Sequence, residues 1–554
     1  MTKRLLVTLL LTIAFTIPII APLWGQGFFK SDDGDQMITR LYAFNETLKT
    51  GQFPVRFLEK INHGFGYPVL NFLYPLPFYF GEAIHILGFN YVYSIKILFA
   101  LGIIFGALAM ALWIYSKWGA TAAIFAAVFY TYAPYKILDV YQRGSLGEVF
   151  ALIFIPLIFY GIDRKFIAIG ALAYAGLITS HNVLAFIFTP VILLYVLVTF
   201  APRFKIFLSL LLGILVAAFF WIPALVEIQY TWADKIQVSD FTKHFLERDQ
   251  FFTHLGFLIP AFLLFGLLAI LKIKKPRREL MFWVVVGLVT IFLSLPQSKL
   301  IWDITPLPKL VQFPWRFLAI TLFCTSIVGG LLVSKLKPWF IPIAIILLVF
   351  LLGLKNISVN RVFYPESYYI GNDGTTTVKN EYSPKWVKNQ FLNAQPVNLA
   401  ILSGRGNTDG EHLVDAVTPL RLRINRVYFP GWNVFVDGKV TTIDYQKEGF
   451  LDITVPPGTH QINYVFQETP VRKIADIVTL GGVITILLEW RRLAQVIGNF
   501  QTQIILSVFY LVLFLPLGLV YKFFLDPFGK QRTGSNFNKW EHGKETLESA
   551  HHQF

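Results

Sequence analysis

A single cysteine in 554 residues, Cys324, excludes a disulfide framework and a thiolate metal site. It lies inside an apolar run and reads as a small core residue. Charge is also scarce: Asp, Glu, Lys and Arg make up 15% of the chain, against 55% hydrophobic and 16% aromatic residues. With a mean hydropathy of +0.58, a soluble protein of this balance would aggregate. There is no internal repeat, no low-complexity tract and no nucleic-acid module. The net charge of +15 gathers in short loops between alternate apolar runs, which is a signature of membrane topology and not of nucleic-acid binding.

What is present is a series of apolar runs near the ~20 residues that cross a ~30 Å hydrocarbon core. Thirteen are expected to span: 5–24, 95–115, 119–134, 149–162, 166–179, 183–200, 206–221, 254–270, 281–295, 317–333, 339–352, 477–488 and 504–520. The first follows a basic start, is longer than a signal-peptide core and has no A-x-A site after it, so it reads as an uncleaved anchor. The segment 71–87 carries Pro75 and Pro77 and is expected to lie along the membrane. With Lys3 and Arg4 in the cytoplasm, that choice places Lys117, Arg164, Lys165, Arg203, Lys205, the cluster 272–278, Lys335, Lys337, Arg491 and Arg492 all on the cytoplasmic side. The outer loops are then 25–90, 135–148, 223–253 and 296–316.

The chain divides into a transmembrane module (1–354), an outer β-rich domain (355–471), C-terminal transmembrane helices (472–522) and a polar tail (523–554) expected to be disordered. The stretch 421–428 alternates apolar and polar residues, with Leu422, Ile424 and Tyr428 on one face. "WNVFVDGKVTTIDY" predicts a hairpin with Asp437-Gly438 at the tight turn. The strands 450–455 and 460–466 are expected to pair across "PPGT". Short strands and turns without helical period suggest a small antiparallel sandwich.

The first outer loop holds three aspartates, Asp32, Asp33 and Asp35, just before a helical pattern over 36–49 in which Met37, Leu41, Phe44 and Leu48 share one face. Gly51 is a plausible stop, and such a helix would lie in the interface. An N-cap accounts for one aspartate, Asp33 or Asp35. The others suggest chemistry: a base for a sugar hydroxyl, or ligands (Asp33 and Asp35, with Asp32) for a divalent cation such as Mg or Mn. Further polar residues stand at span mouths on the same side. Arg143 and Glu148 suit a phosphate site or a mutual ion pair. His181 suits the site or a helix cap, and Arg316 a phosphate or lipid headgroups. His63 and His254 read as ordinary interfacial residues.

"DDGDQMITRLYAFNETLKTGQFPVRF" followed by "GFGYPVLNFLYPLPFYFGEAIHILG" resembles the first outer loop of the C-type glycosyltransferase superfamily (GT-C). More narrowly, "YTYAPYKILDVYQRGSLGEVFAL", "TSHNVLAF", "FFWIPALVE" and "LVQFPWRFLAI" resemble membrane proteins labelled 6-pyruvoyl-tetrahydropterin synthase-related. "EYSPKWV" and "VYFPGWNVFVDGK" with "VPPGTHQINYVF" resemble YfhO-like proteins. The pterin label does not imply pterin chemistry, for which the chain has no histidine cluster. The resemblance implies a GT-C-like, α-helical polytopic membrane protein of about 13 spans with a small extracytoplasmic β-sandwich. The implied reaction moves a sugar from a polyprenyl-phosphate carrier to a glycan, lipid or protein acceptor outside the cytoplasmic membrane, with Asp33 as base and Arg40 matching the family arginine. Asp32 stands where a histidine is common, and Gln36-Met37 where a second one is. Two rival readings are a lipid or polysaccharide transporter, which would carry ionisable residues at mid-span, and a non-catalytic assembly factor.

Overall fold

Without water to satisfy it, backbone in lipid must bond to itself, so the apolar runs form helices. The computed structural model describes residues 3–200, 204–236, 240–247, 251–274, 276–388, 398–488, 502, 506 and 509–524. The first ten helices are α1 (Lys3–Ile20), α2 (Gly34–Lys49), α3 (Leu76–Ile86), α4 (Tyr91–Tyr132), α5 (Pro134–Leu138), α6 (Leu146–Arg164), α7 (Ile167–Ser180), α8 (Asn182–Thr199), α9 (Phe204–Val216) and α10 (Ala218–Glu227). Among the described residues, five helical stretches are long and apolar enough to cross a membrane: Lys3–Trp24, α4, α6, α8 and Pro314–Ser334. Counting each of two sharply bent pairs as one span gives seven, and three shorter apolar helices accompany them. The protein is a multi-pass, mostly helical membrane protein with a small β domain.

Several expected spans are differently built. The runs 95–115 and 119–134 lie in one 42-residue helix, α4, broken only at Gly119, whose φ of 81° no other residue of the helix shares. The run 206–221 is split between α9 and α10, which meet at 65°. The run 504–520 falls partly, and the expected tail 523–554 all but its first two residues, outside the described residues. The described residues from 502 onward belong to a separate unit, which includes the helix Leu515–Phe524. The segment 71–87 holds α3, whose 11 residues reach only about 16 Å. Pro75 caps it and Pro77 sits in its first turn, which fixes where it starts.

The two ends of α6 set the long axis. Just before its start, the amides of Asp32 and Asp33 donate to the carbonyls of Gln142 and Arg143 at 2.9 and 2.8 Å. Near its other end Asp163 binds Lys117 (2.8 Å) and accepts from Tyr195 and Trp113, while Glu279 also binds Lys117 at 2.7 Å. Nineteen residues of helix put about 28 Å between these networks. Glu279 directly follows the basic cluster 272–278, so that cluster lies at the end of α6 away from the acidic loop.

The β domain sits at the acidic-loop end. A two-residue pair ties β1 (Phe28–Phe29) to β2 (Arg361–Val362). Eight further strands follow: β3 (Leu399–Ser403), β4 (Gly406–Thr408), β5 (Leu413–Ala416), β6 (Leu420–Val427), β7 (Trp432–Val436), β8 (Lys439–Thr441), β9 (Phe450–Val455) and β10 (Gly458–Phe466). They form two antiparallel sheets, β4-β5-β10-β7-β8 and β3-β6-β9, over one shared apolar core. The β7–β8 hairpin turns at Asp437 (φ 52°) and Gly438 (φ 77°), as the sequence implies. The expected pairing of 450–455 with 460–466 does not occur. β9 pairs with β6 and β10 with β5 and β7, so "PPGT" turns the corner between sheets. Its two prolines lack the amides a continued ladder needs. A bulge after Ile424 also puts Val427, not Tyr428, into the core. Phe57, Phe65 and Phe72 from the first loop complete that core.

The domain is fastened by buried ions. Arg472 donates through Nη2 and Nε to Glu227 Oε2 at 2.9 and 3.1 Å, and Asn71 donates to the same oxygen at 2.8 Å. Arg56 binds Glu468 at 2.8 Å and donates to the Phe219 carbonyl at 2.9 Å, a group at the α9–α10 bend.

Candidate functional site

α2 begins two residues earlier than its apolar pattern shows, at Gly34, with Asp33 at the N-cap. The Asp33 carboxylate makes no capping hydrogen bond, so the structural role that would have consumed it is absent. Nor does α2 lie in an interface with one face down: Met37, Ile38, Thr39, Arg40, Leu41, Ala43 and Phe44 are all buried within protein. What seats the aspartates is Gly144. Its φ of 65° follows the turn after α5, and a Cβ there would stand 2.7 Å from the Gly34 nitrogen and 2.9 Å from its Cα. Gly144→Ala is expected to push the acidic loop off Gln142 and Arg143 at a cost of about 1–3 kcal/mol. Thermal unfolding and the rate of any activity would both register it; unchanged values would show the close approach to be unimportant.

Asp32, Asp33, Arg40, Arg143, His181 and Arg316 line one cavity of about 520 Å³. They come from the first loop, the α5–α6 link, the α7–α8 link and the start of the helix Leu318–Ser334. Glu148 is brought beside them but does not line the cavity. It is fully buried in the first turn of α6, and four cationic or polar groups converge on it. Arg143 Nη1 lies 3.0 Å from Oε2, and the Tyr135 hydroxyl donates to Oε2 at 2.9 Å. Arg316 Nε and His181 Nε2 stand 3.5 and 3.6 Å from Oε1. Glu148 is therefore corrected from a substrate ligand to the anion that orients the arginines, because its depth keeps it from the cavity surface.

Each cation is held on its other side. Arg143 also pairs with buried Asp139 and lies over the Trp315 ring at 4.1 Å. Glu148 and Asp139 together outweigh burial and raise the Arg143 pKa. Burial, reinforced by Glu148, lifts the Asp139 carboxyl well above its usual range. Arg316 donates to the Val311 carbonyl at 2.7 Å and to Gln312 at 3.2 Å, and is buried, so it does not snorkel to lipid. His181 caps α8 by accepting the Leu184 amide on Nδ1 at 3.1 Å. The proton of its neutral ring is thus on Nε2, facing Glu148. Burial, only partly offset by Glu148, lowers its pKa to about 3. Beneath them Lys136 is buried with no hydrogen-bond partner on Nζ, and burial draws it down to about 8.

Arg40 lines the cavity, yet its Nε and Nη2 are given to Thr376, at 2.8 Å to Oγ1 and closely to the carbonyl. Its first role is to hold residue 376. Asp35 does not line the cavity, so the expected cation pair Asp33–Asp35 is not brought to a common opening. Among the described residues no group of three or more His, Cys, Asp or Glu could hold a metal ion. Burial raises the Asp35 carboxyl, and burial with repulsion from Asp33 raises Asp32, against the pull of Arg143.

Sequence patterns missed several lining residues. Tyr74, Gln142, Trp315, Thr376, Glu381 and Tyr382 all face the cavity, as does His254, which read as ordinary. Trp315 and Gln142 adjoin residues already marked. Residues 376–382 precede the strands and carry no local signal that they cross back over α2.

No family model matches the chain. A curated protein of Lactococcus lactis subsp. cremoris, described as uncharacterized, is 26% identical over 256 residues, covering 42% of this chain and 41% of that protein. The chain thus matches about two fifths of that relative's length. Among solved structures, the fold is similar to arabinofuranosyltransferase AftD from Mycobacteria (TM-score 0.42, 16% identity), over 68% of this chain and 27% of that one. It is also similar to ArnT from Cupriavidus metallidurans bound to undecaprenyl phosphate (0.42, 14%), over 65% and 67%. A third likeness is to an Archaeoglobus fulgidus oligosaccharyltransferase tethered with an acceptor peptide (0.41, 15%), over 64% and 55%.

Proposed function

We propose that the protein is an integral-membrane glycosyltransferase that moves a sugar from a polyprenyl-phosphate carrier to an acceptor on the extracytoplasmic face. The observation that carries this reading is the meeting of an uncapped carboxylate, Asp33, with two arginines, half-buried Arg143 and buried Arg316, around one cavity. An acceptor hydroxyl attacks the anomeric carbon and gives its proton to Asp33. The bond from that carbon to the phosphate oxygen breaks, and the phosphate leaves with the electron pair. The free edges of Arg143 and Arg316 receive the growing charge, pre-aimed by Glu148 and stacked on Trp315. His181, neutral, keeps the Glu148 side of the site in place. The narrower kinship with the 6-pyruvoyl-tetrahydropterin synthase-related and YfhO-like proteins is part of the same proposal and rests on the sequence motifs.

A transporter would carry charge at mid-span, whereas the buried ion networks here stand at the two ends of α6. The direct test is consumption of undecaprenyl-phosphate-linked sugar by the purified protein in liposomes, against an Arg143→Ala, Arg316→Ala double variant. Turnover confined to the intact protein is the expected result; lipid-linked sugar left unchanged by both would sink the reading.

The orientation belongs to the same proposal: N-terminus in the cytoplasm, acidic loop and β domain outside, cluster 272–278 inside. Cys324 is fully buried, so a membrane-impermeant maleimide meets little background. Applied to intact cells, it is expected to label Gly438→Cys and to miss Lys274→Cys. The reverse pattern would invert the topology.

A further inference from the structure

A second cavity, of about 320 Å³, lies against the first, and residues 376–378 line both, so this short segment is their shared wall. The two differ in chemistry. The first carries Asp32, Asp33, Arg40, Arg143, Arg316 and Glu381. The second is lined by no Asp, Glu, Lys or Arg. Its surface is amide and hydroxyl, from Gln36, Asn62, Asn372, Asn380 and the threonines 375, 376 and 377, with one imidazole, His63, whose Nδ1 is taken up by Asp373 at 2.9 Å. Such a lining offers donors and acceptors without net charge. An anion would find no countercharge there, and an apolar group would strand the amides. A neutral, hydroxyl-rich molecule satisfies both conditions.

Its placement ties it to the candidate base. Gln36 is three residues beyond Asp33 in the first turn of α2. Asp33 lines the charged cavity and Gln36 the neutral one. The Gln36 side chain makes no hydrogen bond among the described residues, so its amide is available.

The backbone around the second cavity is held in an unfavourable form. Seven described non-glycine residues have positive φ, and four of them line this cavity: Asn62 (58°), His63 (56°), Thr376 (62°) and Asn380 (50°). Two of the others are accounted for by a hairpin turn (Asp437) and a helix end (Lys165). A β-branched residue such as Thr376 adopts this conformation only when its surroundings enforce it, and such positions gather at ligand sites. The enforcement is visible. Arg40 grips Thr376 twice, and the Tyr67 hydroxyl and Thr377 Oγ1 lie 3.0 Å apart. The amides of Asn62 and His63 donate to the carbonyls of Gly374 and Asp373 at 3.3 and 2.7 Å. The first loop and the segment 373–377 are thereby locked together around the opening.

We infer that this second cavity is a subsite for an uncharged glycan, the acceptor of the reaction proposed above. The word acceptor rests on that reading, while the binding chemistry stands without it. Arg40 is then a positioning residue: it sets the wall across which the glycan hydroxyl reaches Asp33.

The test uses the full chain in detergent with two soluble probes, a mixture of neutral hexose oligosaccharides and uronic-acid oligosaccharides of the same length, read by saturation-transfer NMR. Undecaprenyl phosphate binding and donor consumption are measured on the same preparations. Saturation transfer is expected to the neutral mixture and not to the acidic one. Gln36→Leu is expected to weaken it about 3–10-fold, the worth of one net hydrogen bond, and to leave undecaprenyl phosphate binding unchanged. Arg316→Lys is expected to do the reverse. Absence of a neutral signal, an equal acidic signal, or a neutral signal indifferent to Gln36→Leu each overturns the subsite. Should Gln36→Leu also lose lipid-phosphate binding, Thr375→Val, which lines the second cavity and not the first, takes its place under the same criteria. Neutral binding without donor turnover in the intact protein keeps the subsite and removes glycosyl transfer. Turnover without neutral binding removes the subsite alone.

Discussion

Asp33→Asn is expected to leave lipid-linked sugar unconsumed where the intact protein exhausts it, with a rate loss of about 10²–10⁴-fold, the usual contribution of a positioned base. Asparagine keeps the size of the side chain and its place at the start of α2, and it cannot take a proton. Because the Asp33 carboxylate makes no capping bond, the helix loses nothing that would confuse the result. Stability and undecaprenyl phosphate binding should therefore stay at wild-type values while turnover falls. Equal turnover by the two proteins would remove Asp33 from the chemistry. The same exchange at Asp35, which does not line the cavity, serves as the contrast and should cost little.

Glu148→Leu is the second large effect, and it appears in stability before activity. The substitution leaves buried Arg316 and half-buried Arg143 with one anion fewer, and breaking such a pair at a buried carboxylate costs about 3–5 kcal/mol. A wide drop in the thermal unfolding midpoint in detergent is the expected result. Adding Arg143→Met should restore much of the loss, since an apolar pair of similar volume often replaces a buried ion pair at little cost. The repaired double variant should still bind undecaprenyl phosphate poorly. A double variant that regains both stability and lipid-phosphate binding would make the cluster purely structural.

How far the sequence shows these features depends on the range of the forces involved. Local chemistry is legible: the Asp437-Gly438 turn, the helical face of Met37, Leu41 and Phe44, and the prolines that start α3 are all written in neighbouring residues. So is the meeting of Arg143 with Glu148, five positions apart across one turn. The sheet partner of β9 is not legible, because a turn signal at Pro456–Thr459 says that the chain bends and not which sheet it enters next. Glu148 looks like an exposed span-mouth charge until the packing of α6 shows that it is sealed. The grip of Arg40 on Thr376, and the presence of Glu381 at the same cavity, depend on a contact between distant parts of the chain for which no local spacing exists.

The three phenylalanines that the first loop lends to the sandwich bear on the order of assembly. Phe57 packs on Trp432 at 5.3 Å, Phe65 on Phe450 at 5.4 Å and Phe72 on Phe429 at 6.0 Å. These contacts have a very large sequence separation, and contacts of that kind form late and slowly. Ribosomal synthesis delivers the phenylalanines hundreds of residues before the strands that receive them. The early segment must wait, with its aromatic side chains unpaired, until nearly the whole membrane region has been threaded. The sandwich is in this sense a clasp and not a bead on a string: its closure records that the N-terminal segment and the last strands have both arrived on the same side, and no intermediate lacking either one can complete the core.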